Sequence, residues 1–218
     1  MLRSSPGRVP SPKRCARNDS NWASAASKRA GQNQVLSRLS VLSEAARQGT
    51  VAWTAKCFDL GRDDTLFWFT DLGWMMGPWA ISGALLLGAR LVIYEGTPDH
   101  PGPDRLWSIV ERYAITHLGL SPTVIRALMV HGSEPVRSHD LLSLRVLGST
   151  GEPWNPDPWW WFFREVGGGR CPVVNYSGGT EVSGGIVAGN LLTPVKPCSF
   201  GGPNVGVAAD VVDGRGRS

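Results

Sequence analysis

Two short loops carry the residue types that could bind a nucleotide. One runs Gly148-Ser149-Thr150-Gly151-Glu152-Pro153, the other Ser177-Gly178-Gly179-Thr180-Glu181, and each follows a short apolar run. Glycines let a backbone approach a ligand closely, and the bare N–H groups of such turns can hold an anion. A hydroxyl followed by a carboxylate suits a nucleotide bound with Mg²⁺, because both groups offer oxygen ligands. Both loops also fit ordinary strand-to-helix turns, in which Gly, Ser and Pro are common.

Neither loop matches the two best-known phosphate-binding patterns. The P-loop pattern ends in Gly-Lys-Ser/Thr, which neither loop contains, and the chain has no convincing dinucleotide GxGxxG pattern. Composition and spacing alone therefore indicate an α/β domain with a candidate nucleotide site, and they do not specify its reaction.

The segments around these loops alternate between strand-like and helix-like patterns. Short β-rich runs at 91–94, 115–120, 144–147 and 171–176 are separated by helical patterns at 104–113, 122–131 and 155–166. This alternation predicts an α/β fold with a largely parallel sheet flanked by helices. Ligands of such sheets bind beyond the carboxyl ends of the strands, which is where both loops lie.

A β-rich stretch is predicted after Ser183. Strands are expected at 184–188 and 205–212, and the second is followed by the hairpin signal Asp213-Gly214. The predicted fold class is therefore α/β with a β-rich C-terminal stretch.

The basic character of the chain is concentrated near its start. The chain carries a formal net charge of +4, and basic residues far outnumber acidic ones before residue 48. We expect residues 1–50 to be a Ser/Pro/Arg-rich segment, disordered at first and helical at about 34–48. A nucleic-acid-binding function is disfavoured, because no folded basic face with aromatic or motif support is apparent.

Cysteines and hydropathy bear on the cellular location. The four cysteines are far apart without a CxxC pair, which favours reduced thiols over a zinc site or a disulfide framework. The most apolar run, 80–94, is interrupted by Arg90 and is too short for a membrane span. No secretory signal is apparent. We expect a cytoplasmic protein, or one of an organelle matrix if the basic start is a transit peptide.

Five segments, in order, resemble the AMP-forming acyl-CoA synthetases of the adenylate-forming superfamily. The run 147–156, LGSTGEPWNP, resembles the LGS-x-GEP-x-NP stretch of its acetyl-CoA synthetase branch. The run 175–181, NYSGGTE, falls where the family has a motif ending in Thr-Glu, and 67–74, FWFTDLGW, resembles its DxGW segment. The runs 94–96 and 121–128 also match in order and spacing. By this resemblance, residues 51–218 are part of an AMP-binding synthetase domain.

The resemblance assigns roles to residues of these segments. It implies that the adenine and ribose lie beside Gly151, Glu152, Pro153, Asn175, Tyr176 and Ser177. It implies catalytic roles for Thr180, at the α-phosphate, and for Glu181, which would bind Mg²⁺. The acyl and coenzyme A channel would lie near Trp74, Met75, Met76 and Gly178. The implied reaction joins a carboxylic acid to coenzyme A through an acyl-AMP made from ATP, with release of pyrophosphate and then AMP.

Two departures from the family pattern bear on the substrate. Acetate-specific relatives have a Trp where this chain has Gly178, and that Trp shortens their acyl pocket. Gly178 therefore predicts a substrate larger than acetate, such as acetoacetate or a short to medium acyl chain, unless Met75 or Met76 fills the space. Ser177 replaces the aromatic residue that usually stacks on adenine, as in the acetoacetyl-CoA synthetase branch. Tyr176 could stack instead, or its side chain could point into the core.

Several parts of the family pattern have no counterpart. No Ser/Thr/Gly-rich loop for the ATP phosphates precedes Trp53, and the later ribose-binding Asp, the hinge and the small C-terminal domain with its catalytic Lys do not occur. We therefore expect a fragment of an AMP-forming acid–CoA ligase, whose parent carries the missing C-terminal domain and whose isolated activity is low. The alternatives are an inactive relic, a nucleotide-binding module without ligase activity, or an interaction module with a basic tail.

Overall fold

A computed structural model describes residues 54–55, 57–182 and 184–218, and the side chain of Glu181 is outside this description. The predictions made for residues 1–50, including the helix at 34–48, therefore fall outside the described residues. In the described part of the chain, no helix is both long enough and apolar enough to cross a membrane.

The strands of the described chain form one seven-stranded sheet. They are β1 Thr65–Trp68, β2 Arg90–Val92, β3 His117–Gly119, β4 Val146–Ser149, β5 Val173–Gly179, β6 Gly184–Ala188 and β7 Gly202–Pro203. Their order across the sheet is β2-β1-β3-β4-β5-β6-β7. The pairs from β2 to β5 are parallel, whereas β5–β6 and β6–β7 are antiparallel. This arrangement confirms the predicted α/β class with C-terminal strands.

Helices connect the parallel strands. They are α1 Met76–Leu86, α2 Arg105–Tyr113, α3 Pro122–Met129, α4 Glu134–Arg137 and α5 Pro156–Trp161, and the π-helical segment Phe162–Val166 continues α5. Helix α3 begins with a Ser-Pro sequence that caps its first turn. The Ser121 hydroxyl accepts a hydrogen bond from the Val124 amide at 3.4 Å, and Pro122 occupies the first turn.

The strand predicted at 205–212 is wrong. No residue of this range is in a strand. Gly206 has a φ of 82°, which interrupts an extended run, and Val211 is 89% exposed, so the apolar alternation here does not face a core. The turn signal after it does form a local structure, because the Asp213 carboxylate accepts a hydrogen bond from the Arg217 amide at 3.1 Å.

Apolar cores lie on both faces of the sheet. Side chains of successive strand residues alternate between them: Leu147 and Val173 pack with α2, α3 and α5, whereas Val146 and Val174 pack with α1. The first core is the larger, and it holds most of the aromatic side chains of α5. The sheet is therefore covered on both sides, as parallel sheets require.

Trp68 lies directly over two glycines of the neighbouring strands. A Cβ atom on Gly119 would come within 2.1 Å of the Trp68 ring, and one on Gly148 within 2.5 Å. The indole also contacts Trp79 and Phe58, whose ring centroids lie 4.9 and 5.9 Å away in edge-on arrangements. The glycines of β3 and β4 are thus required by the packing of this one tryptophan.

Gly148→Ala should lower the free energy of unfolding by about 1–3 kcal/mol, the usual cost of overpacking a core. The matched control is Gly214→Ala, because a Cβ at Gly214 meets no atom within 4 Å. Chemical denaturation of both variants measures the difference. Equal stability of the two variants would contradict the packing described for Trp68.

His139 joins two carboxylates at the start and end of α2. Its Nδ1 lies 2.7 Å from Glu111 and its Nε2 lies 3.1 Å from Asp104. Both ring nitrogens face acceptors, so the protonated imidazolium, which donates from both, is the form that fits. The hydrogen bond to Glu111 is the main cause that raises the pKa of His139, and the same bond lowers the pKa of Glu111.

These shifts give a defined pH dependence of stability. The raised pKa of His139 adds stability that is fully present below the unfolded value of 6.5 and is lost as the pH rises through the folded value. The lowered pKa of Glu111 adds stability above the unfolded value of 4.5, lost as the pH falls through the folded value. The difference in unfolding free energy between the wild-type chain and His139→Asn should therefore be largest at about pH 5–6, as measured by denaturant titration across the pH range. A difference that does not change with pH would count against this cluster.

Candidate functional site

Three connecting segments meet at the carboxyl end of the parallel sheet. They are residues 69–76 after β1, residues 150–155 after β4, and residues 176–182 at the end of β5. The Thr150 hydroxyl donates a hydrogen bond to the Tyr176 carbonyl at 2.9 Å, and the Tyr176 hydroxyl donates to the sulfur of Met76. Two side-chain contacts thus connect all three segments.

The β4 loop, residues 150–155, presents an open backbone at Gly151. This residue has a φ of 108°, and a Cβ atom placed on it would meet nothing within 4 Å. Gly151 and Pro153 are both exposed. A left-handed glycine beside open space leaves the peptide groups accessible to a ligand.

Glu152 turns its carboxylate toward α3. One oxygen accepts a hydrogen bond from the Thr123 amide at 2.9 Å, and the other forms an ion pair with Arg126. The side chain of Thr123 is the main cause that holds the pKa of Glu152 below its usual value, and the hydrogen bonds from Arg126 and from the Thr123 amide add to it. The carboxylate therefore remains ionised at neutral pH.

Arg126 also belongs to this site, although no sequence pattern predicted a role for it. Its guanidinium donates to Glu152, to the Thr123 hydroxyl at 2.7 Å and to the Asn155 side-chain oxygen at 3.5 Å. The available signal was the spacing of three residues between Thr123 and Arg126, which puts both on one side of α3 at the end of β3. That spacing does not reveal which loop they contact.

Asn175 and Tyr176 have buried side chains. The Asn175 amide group donates to the Ser199 carbonyl at 3.4 Å, and the Tyr176 ring packs in the core that contains α1. Burial raises the pKa of Tyr176, so its hydroxyl stays protonated. Of the two alternatives for Tyr176, the side chain takes the inward one. Ser177, the next residue, is exposed.

Thr180 and Glu181 belong to a 3₁₀ turn, Thr180–Val182, that directly follows β5. Thr180 is exposed at the carboxyl edge of the sheet. No group of three or more His, Cys, Asp or Glu side chains in the described part of the chain is placed to bind a metal ion. The role of Glu181 as a Mg²⁺ ligand stays a prediction.

Three of the four residues predicted for the acyl and coenzyme A channel lie in one segment and differ in exposure. Trp74 is 68% exposed, and Met75 is partly buried. Met76 is buried against Tyr176 at the start of α1. Residues 69–76 thus contact the candidate site by way of Met76, while the indole of Trp74 lies at the surface.

Gly178 lies at an irregularity in the pairing of β5 with β6. A Cβ atom on Gly178 would come within 2.0 Å of the Gly184 carbonyl oxygen. The close approach of β6 therefore gives a reason for glycine at this position that is independent of the size of an acyl pocket.

The fold and these loops define a class: an α/β protein with a candidate nucleotide site at the carboxyl ends of parallel strands. The family described as AMP-binding enzyme matches residues 37–218, which is more than half of the chain. The chain belongs to this family.

Curated relatives support the same assignment. The chain is 45% identical over 173 residues to an acetyl-coenzyme A synthetase of Pyrobaculum aerophilum, which covers 77% of this chain and 25% of the relative. It is 47% identical over 163 residues to the acetyl-coenzyme A synthetase of Deinococcus radiodurans, with 73% and 25% covered. The chain thus spans about a quarter of the length of these relatives.

A solved structure shares the fold. The acetoacetyl-CoA synthetase from Streptomyces lividans superposes with a TM-score of 0.65 at 34% sequence identity, over 70% of this chain and 24% of that chain. The predicted resemblance to the acyl-CoA synthetases is confirmed.

Gly178→Ala should lower the free energy of unfolding by about 1–3 kcal/mol, since the added methyl group overlaps the backbone of β6. Gly184→Ala is the control, because a Cβ there would lie 3.9 Å from its nearest neighbour, the Val182 carbonyl. Denaturant titration of the two variants checks the difference. A Gly178→Ala variant as stable as wild type would show that β6 moves freely at this point.

Proposed function

We propose that this chain contributes the adenylate-binding part of an AMP-forming acid–CoA ligase. Its substrates are a carboxylic acid, ATP and coenzyme A, and its products are an acyl-CoA, AMP and pyrophosphate. The observation that carries the proposal is the joining of the β4 loop to the end of β5 by Thr150 and Tyr176. That bond places an open glycine backbone and an exposed Thr180 hydroxyl on neighbouring strand ends.

The residues at the strand ends suit the parts of an adenylate. The backbone at Gly151, Glu152 and Pro153 offers hydrogen-bonding groups for the adenine and ribose, with Ser177 and the backbone of 175–176 on the neighbouring strand. The hydroxyl of Thr180 can donate to an oxygen of the α-phosphate. Preorganised donors of this kind stabilise charge that develops as the substrate carboxylate attacks the phosphorus.

Magnesium would be held by Glu181 together with phosphate oxygens of ATP. Carboxylate and phosphate oxygens are the ligands that Mg²⁺ prefers, and a site that uses few protein ligands is usual for this ion. When bound, the ion supplies charge neutralisation at the phosphates. Thr180, one residue earlier, binds phosphate without needing the ion.

The acyl group would lie toward Trp74, Met75 and Met76. We propose a substrate larger than acetate, because the position that carries Trp in acetate-specific relatives is Gly178 here. The similarity to a protein called acetoacetyl-CoA synthetase supports this choice. The similarity to proteins called acetyl-coenzyme A synthetase favours acetate instead, so the two acids are the pair to compare.

Calorimetry with AMP and with ATP·Mg²⁺ tests the proposal directly. The wild-type chain should bind both nucleotides, and Gly151→Trp should abolish binding of both by filling the open space. Glu181→Ala should weaken ATP·Mg²⁺ about tenfold or more while changing AMP less, because AMP binding does not need the metal. The exposed Glu134, far from the strand ends in sequence, provides the control Glu134→Ala.

Thioester formation with acetate and with acetoacetate is measured in parallel. Binding without turnover would identify the alternative function, a nucleotide-binding module without ligase activity. A folded chain that gives no heat with either nucleotide would contradict the proposed function.

A further inference from the structure

We propose that Arg126 is a positioning residue that fastens the β4 loop to α3 and thereby holds Gly151 in place for the nucleotide. In this arrangement Glu152 binds the protein, and the nucleotide meets the backbone of the loop. The inference rests on the proposed function, since it names how that same site is kept in shape.

The guanidinium of Arg126 reaches two points of the loop at once. It donates to the Glu152 carboxylate near the start of the loop and to the Asn155 side-chain oxygen, 3.5 Å away, at its end. A third bond, to the Thr123 hydroxyl at 2.7 Å, fixes the guanidinium against the first turn of α3. A planar guanidinium with five donors can make such a set of bonds, whereas an ammonium group presents a single charged point.

The two oxygens of Glu152 are both engaged by α3. One receives the Thr123 amide at 2.9 Å and the other receives Arg126. The side chains of Arg126 and Glu152 are only 38% and 31% exposed, so the pair is partly shielded from water. An amide at a helix start together with a cation is a strong combination for holding a carboxylate.

Gly151 lies between two anchored neighbours. Thr150 is bonded to the Tyr176 carbonyl on β5, and Glu152 is bonded to α3. Gly151 itself has a left-handed φ of 108° and open space around it. Glycine loses more conformational freedom on ordering than any other residue, so its open conformation depends on these two anchors. Releasing one anchor should therefore loosen the peptide groups that face the ligand.

The chain contains a matched control pair. Arg137 of α4 donates two hydrogen bonds to Glu165, at 3.0 and 3.1 Å, across a similar sequence separation. This pair also joins an arginine of a helix to a glutamate, here in the π-helical segment, and neither of its two hydrogen bonds involves the β4 loop. Arg137→Gln therefore removes a comparable interaction without releasing Gly151.

Hydrogen exchange of the 218-residue chain, without nucleotide, tests the fastening. Arg126→Gln should raise the exchange rate of the Thr123 amide about tenfold, because this amide donates to the Glu152 carboxylate that Arg126 holds. Arg137→Gln should leave the Thr123 amide at the wild-type rate. Unchanged exchange in Arg126→Gln would overturn the inference.

AMP affinity tests the consequence for the ligand. Arg126→Gln should weaken AMP binding about tenfold, whereas Arg137→Gln should not. In a Glu152→Gln background the same Arg126→Gln change should have a much smaller effect, because the partner is already altered. Arg126→Lys should retain part of the affinity that Arg126→Gln loses. Lysine keeps a positive charge beside Glu152 but loses the bond to Asn155.

The two proposals fail in different ways. A wild-type chain that binds no AMP contradicts the proposed function, and the exchange experiment still decides whether Arg126 holds the loop. Normal AMP binding by Arg126→Gln, or a full tenfold loss in Glu152→Gln/Arg126→Gln relative to Glu152→Gln, overturns the positioning role alone.

Discussion

The indole of Trp68, resting on Gly119 and Gly148, is the contact on which the alignment of the central sheet depends. Trp68 belongs to β1 and packs over the next two strands of the sheet, so this one side chain sets how β1, β3 and β4 lie relative to one another. A side chain on either glycine would lift the indole and the strand that bears it. The loops that follow these strands start from strand ends whose relative positions this packing sets, and the position of the candidate site depends on them.

Two kinds of contact then shape the candidate site at the ends of these strands. Backbone pairing sets the strand ends side by side, for example Ser149 beside Asn175. Side-chain bonds from Thr150 and Glu152 then tie the β4 loop sideways to β5 and to α3. Gly151 lies between these two residues, and its own peptide groups take no part in the bonds that hold the loop. The arrangement separates the residues that give the loop its shape from the backbone that is free to meet a ligand.

The sequence predicted those features that depend on local pattern. The periodic Leu106, Ile109 and Val110 produced a helix whose start and end were nearly correct, and the strand–helix alternation gave the sheet. Features that depend on distant contacts were missed or left open. Arg126 and Glu152 are 26 residues apart, and nothing local links them. The side chain of Tyr176 could lie on either face of the sheet, and in the structure it lies inward, where its hydroxyl bonds to Met76, 100 residues earlier. The alternation at 205–212 resembled a strand because pattern alone does not show whether a partner strand exists.

The strand order has a consequence for how the chain assembles. β1 lies between β2 and β3, both of which follow it in the chain, and β3 to β7 are then added to one edge in sequence order. Each strand from β4 onward thus joins an edge that already exists, and the sheet can grow in the order of synthesis. The candidate site draws on the ends of β1, β4 and β5, and it is complete only after β5 has joined. A ligand of this site would therefore bind only chains whose central sheet has already formed.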